Sequence, residues 1–165
     1  MTLASDLLEQ AWHLARLEPN EPRQASLRRA VSAAYYSLFH LITRDGAARV
    51  STIERLRPTI ARAFEHAELA KAARGITNIR PGQDHWLAAH IDSVPPDLAM
   101  CCETFAALQE RRHVADYDAS TSLTRGDVLT LLQRASGAHS AWNRVSKSDA
   151  ALVFVLAALK ILRSR

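Results

Sequence analysis

A run of charged and polar residues, from Glu110 to Asp118, contains the side chains of this sequence that are best suited to chemistry. Within it, Arg112 and Asp116 are one helical turn apart, so a helix would place the guanidinium and the carboxylate on the same side. Apolar residues at helical spacing precede the run: Leu98, Cys101, Phe105 and Leu108. Arg112 continues this stripe, and a charge beside a core needs a partner because unpaired burial is costly. The pattern predicts a polar site, a subunit interface, or both.

A second set of polar and aromatic residues lies on an earlier stretch of helical periodicity. Tyr36 and His40 are four residues apart, and Arg29 lies two turns before Tyr36 on the same side. We expect this set to face Arg112 and Asp116 and to form a polar site with them. The alternative is a hydrogen-bonded network that only holds two helices together. The pair of Arg112 and Asp116 is open in the same way, between a catalytic or phosphate-binding role and a structural ion pair.

Further basic residues are candidates for contact with phosphate. Arg111 points about 100° away from Arg112 on a helix, either as a solvated charge or as a phosphate ligand. Another helical region has a basic bias from Arg55, Arg57, Arg62 and Arg74. These arginines would contact RNA if they line the same cleft as Arg111. The whole chain has 21 basic and 17 acidic residues, which permits nucleic-acid binding without requiring it.

Helical elements must position these side chains. The chain is rich in Ala, Leu and Arg and has only five glycines and six prolines, which favours helix over strand. The spacing predicts helices over about 3–17, 23–44, 58–74, 96–115, 125–145 and 149–163, with a short one at about 83–91. Asp45-Gly46 and Gly75 should end the second and third helices, and Ser51 to Glu54 should form a capping box. We predict an all-α, up-and-down bundle of five to six helices, with residues 1–165 forming one domain.

Composition limits the other function classes. The adjacent Cys101 and Cys102 are expected to be small core residues in a reducing compartment, since a disulfide between neighbours would be strained. The start of the chain has no basic signal-peptide region, and the apolar stretch 150–159 is shorter than the roughly 20 residues that span a bilayer. We therefore expect a cytoplasmic protein that does not interact with membranes. Neither metal-ligand spacing nor a glycine-rich phosphate loop occurs, which predicts no metal and no cofactor.

Two segments together resemble the HEPN superfamily, in particular its small stand-alone bacterial members. The segment from Leu27 to His40 has a basic residue, small residues, paired tyrosines, and then an aromatic residue and a histidine. The segment from Leu108 to Asp118 is similar to the late-helix segment of the family, in which an arginine precedes Ala-Asp-Tyr. The resemblance implies a four- or five-helix bundle that commonly pairs as a homodimer.

The nuclease motif of this family is incomplete here. HEPN ribonucleases have an arginine, a polar residue, three to five others and then a histidine, and their dimers join two such motifs across a cleft. By resemblance, Arg112 is the arginine and His113 the polar residue, but Tyr117 stands where the histidine is expected. Because a tyrosine has a pKa near 10, it is a poorer base at neutral pH than a histidine with a pKa of about 6.5.

The resemblance implies two functions of different classes. HEPN relatives without the motif serve as binding or partner domains, often beside a minimal nucleotidyltransferase. Our preferred hypothesis is a HEPN-like homodimer acting as a binding or partner component of a toxin–antitoxin or defence system. Its partner would be a nucleotidyltransferase-type antitoxin or another protein, and RNA could also bind.

The alternative is a metal-independent endoribonuclease. Arg112 would stabilise the phosphate of the transition state, and His113 or Tyr117 would transfer protons. The residues expected to bind the substrate are Arg29, Tyr36, His40, Arg111 and Asp116. A third hypothesis is a helical scaffold that only assembles with another protein, through the last helix around Val153 and Leu156.

Overall fold

The computed structural model describes residues 2–80 and 85–162, and all regular secondary structure within these ranges is helical. The α-helices are α1 (Leu3–Arg16), α2 (Gln24–Val50), α3 (Arg57–Arg62), α4 (His66–Thr77), α5 (Pro96–Tyr117), α6 (Arg125–Val145) and α7 (Asp149–Ala158). Two short 3-10 helices, Glu54–Leu56 and Ala88–His90, lie in the connections. The all-α class is confirmed, but the described ranges hold seven α-helices instead of five to six.

The central element is α2, which packs against α1, α3, α5, α6 and α7. Most of its residues are buried, and many of them are alanine or serine, whose small side chains allow neighbouring helices to approach. The neighbouring α5 also packs against α4 and α6. Tyr36 on α2 and Arg112 on α5 therefore lie on helices that pack against each other.

The second helix does not end at Gly46, as predicted, but continues to Val50. A Cβ atom on Gly46 would lie 3.0 Å from Cζ of Phe64 and 3.2 Å from a methyl group of Val155. The glycine is therefore explained by close packing within the helix and not by a helix cap.

The predicted helix over about 58–74 is two helices, α3 and α4. They are separated by a tight turn in which the N–H of Phe64 donates to the carbonyl of Ala61 over 3.4 Å. This turn buries the Phe64 ring, which is 5% exposed. The predicted capping box is also wrong, because the Ser51 hydroxyl accepts a hydrogen bond of 3.1 Å from the N–H of Ile53 ahead of a 3-10 helix.

Other helix ends differ less from the prediction. α4 continues past Gly75 to Thr77, because Gly75 is packed against Leu87 and does not serve as a cap. Only a 3-10 helix, Ala88–His90, is found within the predicted helix at 83–91; residues 83 and 84 lie outside the described ranges. α7 ends at Ala158, before position 163, which also lies outside them.

The prediction is most accurate for the sixth α-helix. α6 begins at Arg125 and ends at Val145, and the Thr124 hydroxyl caps it by accepting a hydrogen bond of 3.1 Å from the N–H of Asp127. α5 extends to Tyr117, two residues beyond the predicted end. Cys101 and Cys102 are fully buried on α5, as expected of core residues. Within the described ranges, no helix combines the length and apolarity needed to cross a bilayer.

Candidate functional site

The pair of Arg112 and Asp116 joins α5 to α2. Arg112 Nε donates to one carboxylate oxygen of Asp116 over 2.9 Å, and the other oxygen accepts a hydrogen bond of 2.6 Å from the Ser32 hydroxyl. The guanidinium carbon lies 5.4 and 5.2 Å from the ring centres of Tyr35 and Tyr36, within cation–π range. The Arg112 side chain is only 21% exposed. Its charge is thus compensated and its position is fixed.

His66, the first residue of α4, belongs to the same cluster. Its Nδ1 is 2.6 Å from the Tyr35 hydroxyl oxygen, and its ring centre is 4.1 Å from that of Phe39. Tyr35 is fully buried and has no other hydrogen bond among the described residues, so donation from its O–H to Nδ1 satisfies the phenol and corresponds to the tautomer with the proton on Nε2. Gln109 of α5 donates to the carbonyl of His66 over 3.1 Å, which fixes the first turn of α4.

Burial determines the protonation of this cluster. It lowers the pKa of His66, and the charges of Arg112 and His40 act in the same direction. Burial also lowers the pKa of His40 and raises the pKa of the Tyr35 phenol. At neutral pH the imidazoles of His66 and His40 and the phenol of Tyr35 are therefore neutral.

A groove of about 470 Å³ lies between α2 and α5, next to this cluster. Four residues that the sequence predicted as site residues line it together: Arg29, Tyr36, Asp116 and Tyr117. We call it the α2–α5 groove. Arg29 is exposed and has no hydrogen-bond or ion-pair partner among the described residues, so it offers a free cation at the edge.

Other predicted site residues lie elsewhere. The His40 ring is 6.3 Å from that of Tyr36, but His40 lines a different groove, between α1, α2 and α3. Arg111 lines a third groove, with Arg134 of α6. The basic residues Arg55, Arg57, Arg62 and Arg74 do not line the groove of Arg111. The condition under which we expected them to contact RNA is therefore not met in this structure.

His113 and Tyr117 form an exposed aromatic pair. Their ring centres are 5.0 Å apart, and Tyr117 is 70% exposed. Arg112, which belongs to the same short motif, is much less exposed, at 21% of its side chain. The last helix offers less exposed surface than expected, because Val153 and Leu156 are both half-buried.

Arg28, which was not among the predicted site residues, closes the end of α5. Its guanidinium donates to the carbonyl oxygens of Ala115 at 2.8 Å, Asp118 at 2.9 Å and Thr121 at 2.5 Å. Carbonyls at a helix C-terminus have no partner within the helix, so these bonds fix the chain around Tyr117. The only signal in the sequence was the basic pair that Arg28 forms with Arg29.

The α2–α5 groove has an unpaired guanidinium, two phenols and a carboxylate, which can hold a polar or aromatic group of a partner. Arg112 could contact a phosphate only after leaving Asp116. In the described part of the chain, no three His, Cys, Asp or Glu side chains come together in a way that could hold a metal ion. No protein-family model, curated protein or solved structure matches this chain, so the interpretation of the site depends on its own geometry.

Proposed function

We propose that the chain is a HEPN-like helical homodimer that acts as a binding or partner component of a toxin–antitoxin or defence system. The observation that carries this proposal is the state of Arg112. Asp116 pairs with it over 2.9 Å, and two tyrosine rings cover it. A ribonuclease would need this guanidinium free for the phosphate, whereas here it holds α5 against α2.

The α2–α5 groove supports pairing with a second copy. Tyr117 stands 70% exposed beside a groove that carries the free guanidinium of Arg29. A two-fold axis would place each Tyr117 against the groove of the other copy, so that the same contact forms twice in the dimer. Tyrosine and arginine are enriched among the residues that contribute most to interface energy.

Sedimentation velocity at micromolar concentration tests this proposal. We expect a dimer for the wild type and at least a roughly tenfold weaker dimer for Tyr117→Arg, because the substitution removes the aromatic contact and adds a charge. Met100→Arg is the matched control, since Met100 is an exposed residue of the same helix at 47% exposure. It should remain a dimer. A wild-type monomer, or equal effects of the two substitutions, would contradict the proposal.

One observation favours the ribonuclease as a second candidate. The imidazole of His66 lies beside Arg112. It could take the place of the motif histidine, because the sequence has a tyrosine at position 117. In that mechanism an RNA 2′-hydroxyl attacks the adjacent phosphorus, the 5′-oxygen leaves, and a cyclic phosphate remains. Arg112 would stabilise the phosphate, and His66, His113 or Tyr117 would transfer protons.

RNA cleavage in the presence of EDTA separates the two candidates. The partner proposal expects no cleavage by the wild type and no toxicity on expression. The ribonuclease expects cleavage that Arg112→Ala abolishes and His66→Gln strongly reduces, while circular dichroism shows that both variants remain folded.

A further inference from the structure

A second groove, between α1, α2 and α3, is distinct from the α2–α5 groove. Its volume is about 610 Å³. Small residues form part of it, among them Ala4, Thr43, Ala47 and Ala48. Leu3 also lines it and is 57% exposed, which leaves a large aliphatic side chain at the edge without a covering element. We call it the α1–α3 groove.

The chain around this groove leaves two arginines without an acidic partner. The charged residues that line the groove are balanced, because Arg44 lies 2.8 Å from Asp45 and Arg57 lies 3.8 Å from Glu54. Arg49 is paired as well, with Asp149 at 3.9 Å. The exposed Arg55 and Arg62 have no ion-pair partner in the described part of the chain, and they directly follow Glu54 and Ala61, which line the groove. An occupant with negative charge beside its apolar surface would complement this edge.

We propose that the α1–α3 groove binds an amphipathic helix of a partner protein, with one apolar face and acidic residues along its borders. The inference rests on the proposed function as a partner component and defines the chemistry of that partner. A helix inserts apolar anchors from successive turns into such a groove, and acidic borders would meet the arginines. Single-stranded RNA fits less well, because it binds by stacking on aromatic rings, and no Phe, Tyr or Trp lines this groove.

The two grooves can be occupied together. The α2–α5 groove uses the first half of α2, from Ala25 to Tyr36, whereas the α1–α3 groove uses its second half, from His40 to Ala48. A homodimer formed through the first groove would thus leave both copies of the second open to the partner helix.

A fluorescein-labelled model peptide is the probe. It is a designed helix of about 18 residues, or five turns, with leucines along one face and glutamates along its borders. A second peptide has lysine in place of each glutamate. Fluorescence anisotropy should give a micromolar dissociation constant for the acidic peptide and at least roughly tenfold weaker binding for the basic one, since like charges repel.

Two matched pairs of variants locate the binding site. Ala48→Trp should fill the α1–α3 groove and weaken the binding of the acidic peptide at least roughly tenfold, whereas Met100→Trp, at a 47% exposed position of α5 that lines neither groove, should not. Leu3→Glu should also weaken the binding of the acidic peptide. Leu17→Glu, at the other end of α1 and 48% exposed, should leave this binding unchanged. The second pair keeps the test valid if the tryptophan disturbs the fold.

Sedimentation of the same samples separates this inference from the proposed function. A dimer that does not bind the acidic peptide, or that binds it equally well in all four variants, overturns the groove inference and leaves the dimer intact. Binding of an oligouridine that is lost in Ala48→Trp, with no binding of the acidic peptide, would assign the groove to RNA instead. A monomer that binds the peptide with the expected variant pattern supports the groove and contradicts the dimer.

Discussion

At the residue scale, Arg28 connects the start of α2 to the end of α5. Its side chain supplies three short hydrogen bonds to the carbonyls of Ala115, Asp118 and Thr121. Two guanidinium nitrogens share these bonds, whereas a lysine has a single ammonium nitrogen on a side chain of different geometry. We expect Arg28→Lys to lower the free energy of unfolding by about 2–3 kcal/mol, because partly buried carbonyls lose charged donors. Urea denaturation followed by circular dichroism measures this change.

The neighbouring Arg29 is the control for this substitution. It is exposed and makes no hydrogen bond or ion pair with the described residues. Arg29→Lys should therefore change the free energy of unfolding by less than about 0.5 kcal/mol. If Arg28→Lys is as mild as Arg29→Lys, the hydrogen bonds of Arg28 do not hold the end of α5.

A second residue-scale prediction concerns pH. His139 Nε2 lies 3.1 Å from the Ser37 hydroxyl, which itself donates to the carbonyl of Ala34 over 2.7 Å, so Nε2 must carry a proton. Burial first, and then the charge of Arg44, lowers the pKa of His139 to about 4. Because an unfolded histidine has a pKa near 6.5, only the unfolded chain gains this proton between these values. Stability from this residue is present above pH 6.5 and declines as the pH falls towards 4.

As the pH falls towards 4, the contribution of His139 to the free energy of unfolding should decrease by about 1–2 kcal/mol, a value reduced for the partial access of solvent to the ring. Chemical denaturation at several pH values between 7.5 and 4.5 tests it, with wild type compared with His139→Gln. His40 and His66, whose pKa values are also lowered by burial, contribute to both proteins and cancel in the comparison. The exposed His13→Gln is the control. Wild type and His139→Gln with parallel pH curves would contradict the prediction.

At the scale of elements, two glycines inside helices allow the effect of core packing on stability to be distinguished from the effect of helix propensity. A Cβ on Gly46 of α2 would meet Phe64 at 3.0 Å, whereas a Cβ on Gly137 of α6 would meet no atom within 4 Å. Gly137→Ala should raise the free energy of unfolding by about 0.5–1 kcal/mol. Gly46→Ala should lower the free energy of unfolding by about 1–3 kcal/mol. The strain that the added methyl group causes in the packed core outweighs the gain in helix propensity. Thermal and urea unfolding measure both, and a stabilising Gly46→Ala would exclude the close contact.

The same glycines explain where the helix predictions succeeded and failed. The limits of α6 were correct because local chemistry sets its start: Thr124 caps the helix. Gly46 and Gly75 were misread because a glycine packed in a core and a glycine that caps a helix have the same sequence signal. α3 and α4 were merged because their break depends on the burial of Phe64, a tertiary effect.

The candidate site also has one part that could be predicted from the sequence and one part that could not. The pair of Arg112 and Asp116 could be predicted, since four residues on one helix fix their relation. The contact between His66 and Tyr35 could not, because the two residues are 31 positions apart in the sequence and only the packing of α4 on α5 brings them together.

At the scale of the whole molecule, the cysteines test whether one core unfolds as a unit. Cys101 and Cys102 are fully buried on α5, which packs against α2, α4 and α6. Burial raises the pKa of Cys101 to about 12, and the thiolate is the reactive form. A thiol reagent at pH 8 should therefore leave the native protein unmodified on the time scale on which it modifies both thiols in guanidinium chloride.

In moderate urea, the rate of thiol labelling reports the free energy needed to expose α5. If the described helices form one cooperative domain, this value should equal the free energy of unfolding from circular dichroism at the same urea concentration. Gly46→Ala should then lower both values equally, although Gly46 lies on a different helix. A labelling value several kcal/mol below the unfolding value would mean that α5 opens while the rest stays folded. The chain would then contain two stability units instead of one.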